Sequence, residues 1–156
     1  MNRPPLLALL VAAGIVGLGV LAAFSPYPHP HLIIAASTDR TSYAPSQSVE
    51  VTISVWVGGN APVTFVGRDC AWLGFVVEAA GGGLVYNSMY HVACLQYGAI
   101  SITLQPGEKL VERITWTQVN DSGLPVPSNH AYEISPALAL SSPVPVSIVS
   151  IRIVVG

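Results

Sequence analysis

At 156 residues the chain has room for one domain built on a single core, which excludes a multidomain enzyme. Only 9% of the residues are charged, against about 25% in an average soluble protein, and 51% are hydrophobic, so the sequence does not encode an ordinary cytosol-facing surface. Six Lys and Arg against eight Asp and Glu, a net charge of -2, offer no basic field to a phosphate backbone, so nucleic acid is not an expected partner.

In chain order, the first element is an uncharged run of nineteen apolar or glycine residues, Leu6 to Phe24. As a helix at about 1.5 Å per residue it approaches the ~30 Å hydrocarbon thickness of a bilayer. Arg3 is the only charged side chain before Asp39. Its position fixes an N-in, C-out orientation with everything after Phe24 extracytoplasmic. Nineteen residues exceed the usual secretory h-region of about 7 to 15, which favours a retained signal anchor over residues 1–24. Val20-Leu21-Ala22 nonetheless offers the small residues that a signal peptidase reads, and cleavage there would leave a secreted product. Residues 25–31, Ser-Pro-Tyr-Pro-His-Pro-His, read as a stiff polyproline stalk, because alternating prolines fix φ and disfavour helix.

Residues 32–156 carry the folded body. From Leu32 onward the dominant hydrophobic period is two. It is clearest where Val49, Val51, Ile53, Val55 and Val57 alternate with Glu50, Thr52, Ser54 and Trp56. Further strands are expected at Val63 to Val66, Leu73 to Ala79, Leu84 to Tyr86, Ile100 to Leu104, Leu110 to Gln118, Tyr132 to Leu140 and Val146 to Val155. Between them lie Gly58 to Pro62, Gly81-Gly82-Gly83, Gln105-Pro106-Gly107-Glu108 and a Pro/Gly/Ser-rich stretch from Asp121 to Asn129. Pro106-Gly107 signals a type II turn, since proline presets φ at its second position and glycine supplies the positive φ at its third. Seven or eight short strands in this order predict an all-β fold, an immunoglobulin-like antiparallel β-sandwich, preceded by one N-terminal transmembrane or signal helix.

The chemistry-bearing residues are few. Cys70 and Cys94 lie in the exported part, where no reducing pool keeps thiols free, so a disulfide is expected. It would close a loop of 23 intervening residues for roughly 3 kcal/mol in the chain-entropy picture. Asn120-Asp121-Ser122 is an N-glycosylation sequon in a turn-rich stretch. His29-Pro30-His31 supplies two imidazoles where a metal site needs three or four ligands. Met89, His91 and Cys94 stand in the wrong order for a blue-copper loop, so no metal and no cofactor are expected. No Gly-x-Ser-x-Gly elbow occurs, and Asp39, Asp69 and Asp121 are scattered, so no enzyme is expected. The remaining concentration is Arg68, Trp72, Met89, Tyr90, His91 and Tyr97, types enriched at interface hot spots, gathered around the two cysteines. They are the candidate partner-binding residues, or else rings that cover one open end of the sandwich.

The order of turns and aromatics resembles the intracellular proteinase inhibitor family of BsuPI-like domains over about residues 43 to 140. Tyr43 to Gln47 leading into Val49 to Val57 is similar to that family's opening strand, and Pro62-Val63-Thr64-Phe65 to the segment that follows its short turn. Leu73 to Val77 with Gly83 to Ser88 is similar to its hydrophobic strand and glycine turn. Leu104-Gln105-Pro106-Gly107-Glu108, Ile114-Thr115-Trp116 and Tyr132-Glu133-Ile134 resemble its later motifs. The resemblance implies a β-sandwich and the inhibition of a serine protease. The chain departs from it in its leader, its cysteine pair and Asn129-His130-Ala131 before Tyr132.

The expected function is that of a noncatalytic extracytoplasmic binding module, held in the membrane through residues 6–24, whose protein partner is a protease or a neighbouring subunit. A structural subunit that donates Leu32 to Ser37 to a neighbouring sheet edge is one alternative. An accessory subunit of a membrane complex is another.

Overall fold

The Val49 to Val57 alternation is realised as a ten-residue strand whose five apolar side chains are sealed from solvent, in a computed structural model that describes residues 29–68, 72–93 and 98–156. The expected N-terminal helix, most of the stalk, the Cys70–Cys94 bridge and Tyr97 lie outside the described residues. Among the described residues no helix is long and apolar enough to cross a membrane.

The strands in chain order are β1 (His31–Thr38), β2 (Ser42–Tyr43), β3 (Val49–Gly58), β4 (Val63–Arg68), β5 (Leu73–Ala79), β6 (Leu84–Asn87), β7 (Ala99–Leu104), β8 (Lys109–Trp116), β9 (His130–Leu138), β10 (Leu140–Ser141), β11 (Val146–Val149) and β12 (Ile151–Val155). A 3-10 helix, Ser88–His91, follows β6. One sheet runs β11-β1-β3-β8 and a second runs β2-β12-β9-β5-β6. β1 and β3 of the first lie against β9, β12 and β5 of the second. The pleat sends alternate side chains inward, so Leu32, Ile34, Val51, Ile53, Val55, Phe75, Val77, Ile134 and Ile153 meet in one core.

The division is that of an immunoglobulin-like sandwich. Three strands of one layer, β1-β3-β8, match positions A-B-E, and β12-β9-β5-β6 match G-F-C-C′. The corner between β8 and β9 carries the tyrosine lock of such folds: the buried Tyr132 hydroxyl donates to the Pro127 carbonyl at 2.8 Å. Gln105 to Glu108 forms the expected turn, with Gly107 at φ 87° and the Glu108 amide donating to the Gln105 carbonyl at 3.0 Å.

The architecture corrects the sequence reading in three ways. First, a small sheet β10-β4-β7 bridges the two layers along one side. The β3–β8 ladder ends at Trp56 opposite Lys109 and the β4–β7 ladder resumes at Val63 opposite Leu104, so both strands turn out of the first layer together. Second, Val146 to Val155 is not one strand but two in different sheets, hinged at Ser150. In β11 it is Val146 and Ile148 that sit beside the core residues Leu32 and Ile34, whereas in β12 the buried pair is Ile153 and Val155. By register the alternation changes phase at the hinge, although as part of an edge strand Val146, Ile148 and Val149 are all exposed. Third, the pairing is mixed, because β11 runs parallel to β1 and β12 parallel to β2. With this split, the short β10 beyond β9, and β1 and β2 ahead of β3, the described residues hold twelve strands instead of seven or eight.

A polar clamp closes the start of β2. The Tyr43 hydroxyl donates to Asp39 Oδ1 at 2.6 Å, and Arg40 Nε approaches Asp39 Oδ2 at 3.2 Å. The tyrosine hydrogen bond, opposed by slight burial and aided by the Arg40 charge, holds the Asp39 carboxyl below its ordinary range. A depressed carboxylate adds stability above its unfolded value, about 3.9, that is lost as pH falls through the lower folded value. Asp39→Asn is accordingly expected to lower the melting temperature slightly above about pH 4 while leaving the more acidic region little changed, so that the acid limb of the profile flattens. An unaltered acid limb would rule that contribution out.

Candidate functional site

Of the residues singled out in sequence, Met89, Tyr90 and His91 come together on the 3-10 helix that follows β6. The helix forms because Asn87 caps it, its Oδ1 accepting from the Met89 amide at 3.0 Å. Ser88 then replaces a ladder partner, its buried hydroxyl accepting from the Phe75 amide at 2.8 Å. Gly74 makes the close approach geometrically feasible. A Cβ there would lie 2.5 Å from Ser88 Oγ and 2.7 Å from Met89 Cγ. Gly74→Ala is therefore expected to push the 3-10 helix off β5 at a cost of about 1–3 kcal/mol. Urea unfolding monitored by far-ultraviolet circular dichroism reads this out, and a loss below about 0.5 kcal/mol would contradict the packing described.

The helix is tied down by Asp121, which the sequence reading left among scattered acids. Asp121 Oδ1 accepts from the Asn87 amide at 2.9 Å and is joined to His91 Nε2 at 3.0 Å, while the Asp121 amide donates to the Val85 carbonyl at 3.1 Å. One carboxylate thus holds β6, the 3-10 helix and the β8–β9 loop in a single unit. The His91 ring stacks on Tyr86, with centroids 4.9 Å apart and planes 5° from parallel. Tyr86 continues inward to Phe75 and Trp116, and Trp116 to Tyr132, so the surface cluster is anchored to the core through a chain of rings. Burial first, and the Asp121 charge second, push the Tyr86 hydroxyl above its ordinary value. It stays protonated at neutral pH.

Around this hub several apolar groups stand in solvent. The Tyr90 side chain is 71% exposed, Leu124 62%, Leu84 52% and Val92 46%. Next to them a cleft of about 360 Å³ is lined by Leu84, Val85, Asn120, Asp121, Ser122 and the Pro125–Pro127 segment. Asn120 is half-buried at its rim, its Oδ1 accepting from the Ser122 amide at 3.0 Å and the Leu124 amide at 2.9 Å. The sequon asparagine therefore builds the turn that presents Leu124.

Trp72 does not join the cluster through any ring contact. It is half-buried at the β4–β10 corner, 5.8 Å from the Phe65 ring and stacked over Gly67, with its carbonyl accepting from the Ala139 amide at 2.9 Å. There it covers the core's edge beside a shallow hollow of about 540 Å³. Arg68 is the last residue of β4, opposite Ala99. Leu32 to Ser37, the segment considered as a donor strand, is taken up within its own domain between β3 and β11. Among the described residues no three His, Cys, Asp or Glu side chains gather as metal ligands would. Among the described residues, no hydroxyl or thiol nucleophile is bonded to His91. The arrangement around Asp121 can hold a surface in shape and bury apolar groups against it.

Comparison with protein-family models gives no match, and comparison with curated proteins gives none. Among solved structures, the CARDB domain of a Pyrococcus furiosus protein is similar at 15% identity and a TM-score of 0.46, over 83% of this chain and 97% of that one. A sporulation control protein of Bacillus subtilis is similar at 18% identity and 0.44, and a β-glucosidase of Erythrobacter marinus at 16% and 0.44. The alignments span 49% of the sporulation protein and 15% of the glucosidase.

Proposed function

We propose that this chain is a noncatalytic binding module, displayed on the far side of a membrane, that meets a protein partner through the surface formed by the 3-10 helix and the β8–β9 loop. The observation that carries the reading is the pairing of exposure with fixation. Tyr90, Val92, Leu84 and Leu124 stand in solvent on segments held by Asp121, Asn87 and Asn120. Apolar groups already ordered in the free protein lose little entropy on binding, and aromatic anchors dominate interface energies.

The position of the tether agrees with this reading. Pro30 and the His29 carbonyl lie against Gly59, so the chain enters at the end of the sandwich that holds the β3–β4 turn. The Gly81–Gly83 turn and Leu84 lie at the opposite end, where β1 finishes and β9 begins. An apolar run at residues 6–24 would anchor the first end to the bilayer and direct the Gly81–Gly83 turn and Leu84 toward the medium.

Within this reading the partner class is a serine protease, on the resemblance of residues 43 to 140 to BsuPI-like domains. Two measurements separate the general claim from the specific one. A photo-crosslinking residue placed at Tyr90 in the chain's own membrane is expected to capture a protein that the same residue placed at Glu50 does not, and equal labelling from both positions would defeat the binding surface. Titration of the full chain against secreted serine proteases is expected to slow one of them, and Tyr90→Ala to weaken that inhibition by about tenfold or more, as for a hot-spot aromatic. No slowing at micromolar chain would remove inhibition and leave the binding module to the crosslinking result.

A further inference from the structure

Six strands border the sheets among the described residues, and five carry a device against pairing with another chain. β2 and β10 are two residues long. β11 has four, entered through Pro143 and Pro145 and left at the Ser150 hinge. β8 exposes Lys109, Glu112 and Arg113. β6 is broken by a register shift opposite Val77 and Glu78, and its Val85 carbonyl is taken by the Asp121 amide. Charge, shortness, irregularity and covering are the usual ways to blunt an edge.

β7 has none of them. Ala99–Leu104 pairs with β4 without a shift from Val63 opposite Leu104 to Arg68 opposite Ala99, and it contains no charge and no proline. In an antiparallel ladder alternate residues direct both their amide and their carbonyl away from the partner, so β7 presents along its outer side backbone groups with which no strand among the described residues pairs. Ala99, Ser101 and Thr103 are exposed around them.

We propose that β7 pairs antiparallel with β7 of a second copy of this chain. The strand offers no charge by which an unrelated peptide could be selected, whereas its own reversed copy matches it. Centred on Ser101, the pairing sets Ile100 opposite Ile102 of the second copy and Ala99 opposite Thr103, which places β-branched residues across from small or branched ones and no like charges together. A two-fold contact of this kind uses both edges and closes after one step, giving a dimer and not a fibre. The chain's net charge of -2 opposes association only weakly.

The test uses the full chain in detergent, with its mass followed by sedimentation as a function of concentration. The wild-type chain is expected to dimerise. Ser101→Lys and Ser101→Glu, each placing like charges across the two-fold, are expected to raise the dissociation constant at least about tenfold with unchanged circular dichroism. A mixture of the two variants should restore the dimer, which loss of folding would not permit. Thr115→Lys on the already charged β8 should leave the dimer intact. A wild-type chain that stays monomeric, a dimer that survives both Ser101 variants, or a mixture that fails to recover would each overturn the proposal.

Discussion

Trp116→Ala is expected to destabilise the domain by about 3–5 kcal/mol, the largest single effect foreseen here. The indole has no solvent exposure, touches the Tyr86 and Tyr132 rings at 6.3 and 5.9 Å, and donates from Nε1 to the Val119 carbonyl at 2.8 Å. Truncation opens a cavity between the two sheets and also releases the β8–β9 loop, which carries Asp121. Trp116→Phe keeps most of the packing but leaves the Val119 carbonyl without its donor, an expected cost of about 1–3 kcal/mol. Guanidinium unfolding of the two variants separates the parts. If the alanine variant lost less than about 1 kcal/mol, the ring chain from Tyr132 to His91 would not be the support described.

Gln118→Ala is expected to cost about 2–4 kcal/mol, a large effect for a residue just beyond a strand end. Gln118 is 2% exposed and sits at φ 59°. Its amide group bridges to a distant loop, Oε1 accepting from the Ser46 amide at 2.8 Å and Nε2 donating to the Ala44 carbonyl at 2.9 Å. Its backbone carbonyl accepts from the Val126 amide at 2.9 Å. Alanine would remove the Ser46 amide's acceptor and one of the two donors to the Ala44 carbonyl, leave a hole at a buried position, and keep the unfavourable backbone angle, because a left-handed φ is poorly tolerated without a compensating contact. Gln118→Gly relieves the angle while losing the same bonds, so it should be the milder substitution, and a melting temperature for glycine below that for alanine would reject the argument.

Much of the body was legible. The β3 alternation, the glycine turn after β5 and the Pro106-Gly107 turn follow from period and local chemistry, and all three stand in the structure. Val146 to Val155 shows why the rest was not. Alternation continues through Ser150 in the sequence, and only the change of partner, from β1 to β9, reveals that two strands of opposite phase have been joined. The site divided in the same way. Tyr90 and His91 were visible as residue types, and their exposure follows from the broken alternation around them. Asp121 was not, because it lies thirty positions beyond His91 and its role exists only once the β8–β9 loop folds back over β6. Trp72 lies near the cysteines in sequence, yet its ring packs on Phe65 at the β4–β10 corner and makes no ring contact with the cluster.

The hinge at Ser150 also governs when the body can form. β11 completes the first layer beside β1 and β12 completes the second between β2 and β9, and β1 and β2 lie more than a hundred positions earlier along the chain. Neither layer is whole until both segments arrive, so during synthesis most of the polypeptide waits as an open shell with its apolar interior uncovered. A molecule built this way depends on shelter from holdases or proteolysis-free surroundings while it emerges. A ribosome stalled before Val146 would release a species prone to clumping.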